Sequence, residues 1–178
     1  MPIPRNWSEE LVSEWLNLNG YSTEVGIPVG TGGRGGRKEA DVVGVKISGT
    51  NKKARILQIY HVEVGQLRGH ESNVATLKEK FSNTRTDKIV ERFKKRMAFA
   101  GDVQYDKVYI DIWERPTLIE RLINDPDIAR EEIKVWTLSE LYRNVFEAIK
   151  AWGELTLPES YWMLKMLVSL REARLIDF

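Results

Sequence analysis

The sequence predicts an α/β fold, a mixed central β-sheet flanked by helices. Three observations lead there. Apolar or alternating runs at 41–47, 54–67, 106–113 and 132–136 read as strands, and YSTEVGIPV at 21–29 reads as another. Segments with apolar residues at helical spacing stand before, between and after these runs. The chain has 178 residues, 42% of them hydrophobic and 30% charged, enough for a single domain with a real core.

The opening helix is expected over Ser8 to Asn19, with Ser8 as N-cap and Glu9 and Glu10 at the positive end of its dipole. Leu11, Val12, Trp15, Leu16 and Leu18 make its apolar face, and Asn19-Gly20 stops it. In the strand that follows, Pro28 removes a ladder donor and points to an edge position or a strand end. Next comes GTGGRGGRKEAD, with five glycines between Gly30 and Gly36 and a basic character from Arg34, Arg37 and Lys38. It contains neither GxxxxGK[ST] nor a GxGxxG that opens a helix, so it is no nucleotide P-loop. Its amides and cations suit a nucleic-acid backbone.

Asp41 opens the apolar strand DVVGVKI, and the turn SGTNKK leads to ARILQIYHVEVGQL. In that second strand Leu57, Ile59, His61, Glu63 and Gly65 face one way, and Gln58, Tyr60, Val62, Val64 and Gln66 the other. A helical region is expected from Val74 to Ala100, broken at Ser82 to Thr84, with Ile89, Val90, Phe93, Met97 and Ala100 as its stripe. Lys88, Arg92, Lys94, Lys95 and Arg96 share that helix and read first as a solvated face. Pro116 starts a helix that ends at Asp125-Pro126, and a strand covers Glu132 to Trp136. Thr137 or Ser139 caps the next helix, and Glu159 to Leu175 forms the last. The core is expected over about 7–136, and 137–178 reads as a helical extension that packs on the sheet or on a second subunit.

Bulk properties narrow the function. The formal net charge is +1, so nucleic-acid binding requires a local patch. The absence of cysteine excludes disulfides, thiolate metal sites and a cysteine nucleophile. His61 and His70 are the only histidines, too few for a histidine-built zinc site. Acids stand where a signal peptide needs an apolar run, and no window approaches the ~20 apolar residues of a membrane span. The expectation is a cytoplasmic protein with no membrane partner. If the two central strands form a hairpin, Asp41 and Glu63 meet at one end of the sheet. Two carboxylates ~4 Å apart repel by about 4 kcal/mol at an effective dielectric near 20. They must take up a proton or bind a cation, and Mg²⁺ or Mn²⁺ suits oxygen ligands. A separation above ~10 Å would rule out a shared ion, since ligands reach only about 2.0–2.6 Å.

The order of elements and three acids, Glu9, Asp41 in KEADVVGV and Glu63 in HVEVGQL, resembles the PD-(D/E)XK nuclease superfamily, most closely archaeal Holliday-junction resolvases and small restriction and repair nucleases. The resemblance covers roughly residues 7 to 113. It implies a restriction-endonuclease-like core with extra C-terminal helices, and a metal-dependent DNA endonuclease. In that reading Asp41, Glu63 and the carbonyl of Val64 bind Mg²⁺ or Mn²⁺, and Glu9, or Glu10, is the helix acid. The substrate is double-stranded or branched DNA, and the protein is a homodimer. The family lysine falls where this chain has Gly65. Gln66 stands beside that position, Lys78 and Lys80 follow on the next helix, and Lys38 lies by the glycine loop. Without a replacement lysine, the same fold is a catalytically inactive module that binds nucleic acid or a partner protein.

Overall fold

The computed structural model describes residues 6–30, 38–49, 53–66, 70–113, 115–153 and 156–176. The elements run α1 (Trp7–Leu18), β1 (Tyr21–Gly30), β2 (Lys38–Ser48), β3 (Arg55–Gly65), α2 (His70–Lys80), α3 (Asn83–Lys94), β4 (Ala98–Asp111), α4 (Pro116–Ile123), α5 (Pro126–Arg130), β5 (Ile133–Thr137), α6 (Leu138–Trp152) and α7 (Trp162–Glu172). They build a five-stranded mixed sheet in the order β1-β2-β3-β4-β5. The first three strands are antiparallel, whereas β3–β4 and β4–β5 are parallel. Parallel neighbours need a crossover, and the pairs α2–α3 and α4–α5 supply it. Proline-bearing β1 is an edge strand, as its sequence predicts.

Alternation along the strands sends side chains into two layers of core. On one face Val42, Val62, Val108 and Ile110 pack with Leu11 and Leu16 of α1, Val145 of α6 and Leu164 of α7. On the other, Val43, Val45 and Ile59 meet Ile89 and Phe93 of α3, and Tyr109 and Val135 meet Leu77 and Phe81 of α2. Helices α6 and α7 therefore complete the layer begun by α1. The expected C-terminal helices thus pack on the sheet and share its core. A buried glutamate fixes this packing. The Glu14 carboxylate on α1 accepts the backbone N–H groups of Met163 at 3.1 Å and Leu164 at 2.9 Å, in the first turn of α7. Those groups have no partner within their own helix.

Several boundaries differ from the expectation. Asn6, not Ser8, caps α1, its Oδ1 accepting from the backbone of Ser8 and Glu9. The third helix ends at Lys94, and Ala100 belongs to β4, whose first residues pair with Arg55 and Ile56 of β3. Cross-strand pairing overrides the helical spacing read there. Beyond the expected stop at Asp125-Pro126 the chain forms a further five-residue helix, α5, with Asp125 as its cap. At α6 Thr137 is the cap, in a reciprocal arrangement with Glu140. No described helix is long and apolar enough to cross a membrane.

The feature that makes a site is a fork. The β2–β3 ladder runs from Ser48–Arg55 to Val42–Val62 and stops. Beyond it β2 stays on β1 as far as Lys38, and β3 stays on β4 as far as Gly65. The β1–β2 register passes from Val25–Val42 to Ile27–Ala40, leaving Gly26 and Asp41 out. Gly26 has φ +65°, a conformation that favours glycine, so the backbone turns opposite Asp41. Val42 and Ala40, two residues apart, consequently join different core layers.

Candidate active site

Asp41 sits in the mouth of the fork. Val64 has no strand partner across the gap there, and its N–H donates instead to Asp41 Oδ2 at 2.9 Å. Strand geometry turns the Val64 carbonyl to the same side as its N–H. Asp41 is the fourth residue of β2 rather than its first, because pairing with β1 extends the strand back to Lys38.

Glu63 is 0% exposed, on the face covered by α2. Its Oε1 lies 2.9 Å from His61 Nε2, and its Oε2 accepts a hydrogen bond from Lys80 Nζ. The same ammonium is 3.7 Å from Asp41 Oδ2. The two carboxylates thus share one cation, separated by no more than two contact lengths, as the expected strand pairing requires. Lys80 comes from the last turn of α2. Lys78, two residues earlier and so on the opposite side of the helix, pairs with Asp127 at 2.9 Å instead. Of the lysines that follow Gly65, Lys80 is the one the fold delivers to the acids.

Charge and burial set the protonation states. Burial pushes the Asp41 carboxyl up to about 7, and the neighbouring Glu63 carboxylate adds to the rise, against the pull of Lys80 and the Val64 amide. Burial acts on Glu63 in the same direction, but the hydrogen bond from His61 and the charge of Lys80 outweigh it and hold Glu63 below the usual range. Burial would lower Lys80, yet the charges of Glu63 and Asp41 override it and raise it. The fork therefore keeps Glu63 ionised and Lys80 charged, while Asp41 exchanges its proton near neutrality.

His61 is fully buried and accounts for the orientation of Glu63. Its ring meets Phe81 edge-on at 4.8 Å, and Tyr105 Oη lies 3.1 Å from Nδ1. Burial raises the Tyr105 hydroxyl, so it stays protonated beside Nδ1, while Nε2 faces the Glu63 carboxylate. The result is a relay Tyr105–His61–Glu63–Lys80. The sequence placed His61 and Glu63 on one face; Tyr105, on the long first half of β4, gave no such signal.

The remaining sequence candidates fall around this centre. Glu9 is 6% exposed, accepts from Asn6 Nδ2 at 2.7 Å, and its charge reaches Asp41 and raises it. It lies in the first turn of α1, bonded to the capping Asn6, and no group of three or more His, Asp or Glu side chains set to hold a metal ion occurs among the described residues. The three-acid cluster expected from the sequence is thus a pair of carboxylates with a third acid at a distance. Gln66 is exposed, just past the end of β3, while Lys80 supplies the ammonium. Lys38 pairs with Glu79, next to Lys80 on α2. Arg34 and Arg37 lie outside the described residues. Arg92 of α3 and Arg96, just past its end, both pair with Glu24, and Lys88 donates to the carbonyl of Val29, so much of the basic stripe is engaged in holding α3 to β1.

The candidate donor set is the Asp41 and Glu63 carboxylates, which share the Lys80 ammonium, together with the Val64 carbonyl, all hard oxygens. It fits a divalent cation that keeps several of its own waters, and it lacks the nitrogen and sulfur ligands a zinc site needs. No protein-family model, curated protein or solved structure matches the chain.

Proposed function

We propose that the β2–β3 fork is the centre of a metal-dependent endonuclease that hydrolyses DNA phosphodiesters, organised like the PD-(D/E)XK enzymes. The observation that carries this reading is the meeting of Asp41, Glu63 and Lys80 in the fork. An acid from each of two adjacent strands and a lysine are the groups that chemistry requires, and the lysine arrives from α2 instead of from position 65.

Asp41, Glu63 and the Val64 carbonyl would hold Mg²⁺ or Mn²⁺. Bound there, such an ion lowers the pKa of a water and stabilises the leaving oxygen of an in-line displacement. Lys80 places positive charge where a scissile phosphate approaches two carboxylates that would otherwise repel it. His61, held by Tyr105, fixes the Glu63 carboxylate in one orientation. Glu9 adds negative charge on the α1 side, and Lys38 stands with Arg34 and Arg37 in the sequence that leads into β2, the segment suited to the DNA backbone. The reading extends to a cytoplasmic homodimer acting on double-stranded or branched DNA.

The test is cleavage of supercoiled plasmid and of branched DNA with Mg²⁺, Mn²⁺ or EDTA, by the wild-type chain and by Asp41→Ala. Cutting that needs the metal and is lost in the variant is the expected result. Tight binding with no cutting under either metal would replace the enzyme by an inactive nucleic-acid-binding module. Neither binding nor cutting on any DNA form would end both readings.

A further inference from the structure

We propose that the corner between β4 and α4, beside the fork, is a stacking subsite for one unpaired nucleotide, so that the protein prefers single-stranded ends, forks or branches to blunt duplex. The inference rests on the reading of the fork as a phosphodiester-cleaving centre.

The corner is next to Glu63 by register. Glu63 pairs with Tyr109 and Gly65 with Asp111 along the parallel β3–β4 ladder. Gly65 leaves a gap in which the nearest atom to an added Cβ is Tyr109 Oη, at 3.9 Å. Asp111 is 1% exposed, and its Oδ1 accepts from Arg115 at 3.3 Å. Arg115 in turn lies over the indole of Trp113, its guanidinium carbon 5.4 Å from the ring centroid. Trp113 is 53% exposed, two residues beyond Asp111. The arrangement is a flat aromatic surface held from one side by an arginine that a buried carboxylate anchors.

Three buried polar atoms in this corner, Tyr109 Oη, Asp111 Oδ2 and Arg115 Nε, have no hydrogen-bond partner among the described residues. Native proteins leave few such atoms, and those that remain mark places where water or a ligand completes the structure. The combination is specific to a nucleotide. An indole with a cation behind it offers its free face to a planar base, and every base has a face to stack. The unpartnered atoms belong to the strand that leads to the indole and to the arginine that holds it, and waters brought in with a ligand can complete them. A base paired and stacked within a blunt duplex cannot lie against the indole, whereas one in a single strand, a fork or a branch can.

The experiment is fluorescence anisotropy with labelled single-stranded, forked and blunt-duplex DNA of equal length, with Ca²⁺ in place of Mg²⁺ to suppress cutting. Wild type, Trp113→Ala, Trp113→Phe and Asp111→Asn are compared, with thermal melts as the folding control. Trp113→Ala should weaken binding of single-stranded and forked DNA roughly 5- to 150-fold and leave blunt duplex within about twofold, the worth of one stacked base. Trp113→Phe should retain most of the affinity, and Asp111→Asn should fall between. Equal weakening on all three DNAs, or no change on any, overturns the subsite. Plasmid cutting without preference for unpaired regions keeps the nuclease reading and overturns this one. Selective single-strand binding without cutting does the reverse.

Discussion

Glu14 and Glu63 are both buried glutamates that accept hydrogen bonds from distant parts of the chain, yet their surroundings differ in kind. Glu14 receives two backbone N–H groups from the start of α7 in an apolar layer. Burial raises its carboxyl to about 7, opposed by those backbone bonds and reinforced by Glu10. Glu63 receives an ammonium and an imidazole, and it faces a second carboxylate across a gap where two strands part. The first arrangement satisfies a helix end and joins two elements. The second gathers charges of both signs at the end of a sheet, where one ammonium serves two acids. Burial of an acid marks structure or function according to what its partners are.

The comparison can be broken by variants that separate activity from stability. The largest effect is expected for Asp41→Asn. Metal-dependent DNA cleavage should fall by about 10²–10³-fold, the scale of losing one preorganised electrostatic group. Its thermal midpoint should stay level or rise, because a carboxylate destabilised by burial and by Glu63 is replaced by a neutral isostere. Next is Lys80→Met, which leaves Glu63 buried without its counter-charge. Chemical denaturation should show a loss of about 3 kcal/mol, the cost of breaking a buried pair from one side, and cleavage should fall with it. A stability change near zero would mean that Lys80 does not hold the fork.

Glu14→Ala should behave in the opposite way to Asp41→Asn. Leaving the α7 amides without an acceptor costs about 1–3 kcal/mol, read as a lowered denaturation midpoint, while cleavage per folded molecule stays within about twofold. The smallest effect is in the pH profile. Folded Glu14 and Asp41 keep protons to about 7, which the unfolded chain releases near the ordinary values of 4.5 and 3.8. The folded state binds more protons across that window, so these two groups make stability decline as pH rises from about 4 to about 7 and level off above. Glu14→Gln and Asp41→Asn should each flatten the slope, and only the second should change activity.

Much of the fold is legible in the sequence because it rests on local alternation. The β2 and β3 runs, Pro28 at an edge and the face shared by His61 and Glu63 all follow from a period of two. What depends on long-range pairing is not legible. AFAGDVQY alternates at Phe99, Val103 and Tyr105, but Met97 and Ala100 also continue the helical stripe of α3, and pairing with Arg55 and Ile56 decides for strand. The site shows the same division. Asp41 and Glu63 could be placed at one sheet end, but the choice of Lys80 over Lys78 depends on how α2 is rotated against the sheet, which Leu77 and Phe81 decide by burying their side chains under Tyr109. Arg115 and Trp113 gain meaning only once β4 sets Asp111 beside Gly65.

The central claim, that the fork is built to take a divalent cation, is tested most directly by Mn²⁺ binding. Free Mn²⁺ would be followed by electron paramagnetic resonance as protein is titrated in, for wild type, Asp41→Asn and Glu14→Gln. A saturable site in wild type and Glu14→Gln that is lost in Asp41→Asn is the predicted result. No binding by wild type, or equal binding by Asp41→Asn, would contradict it.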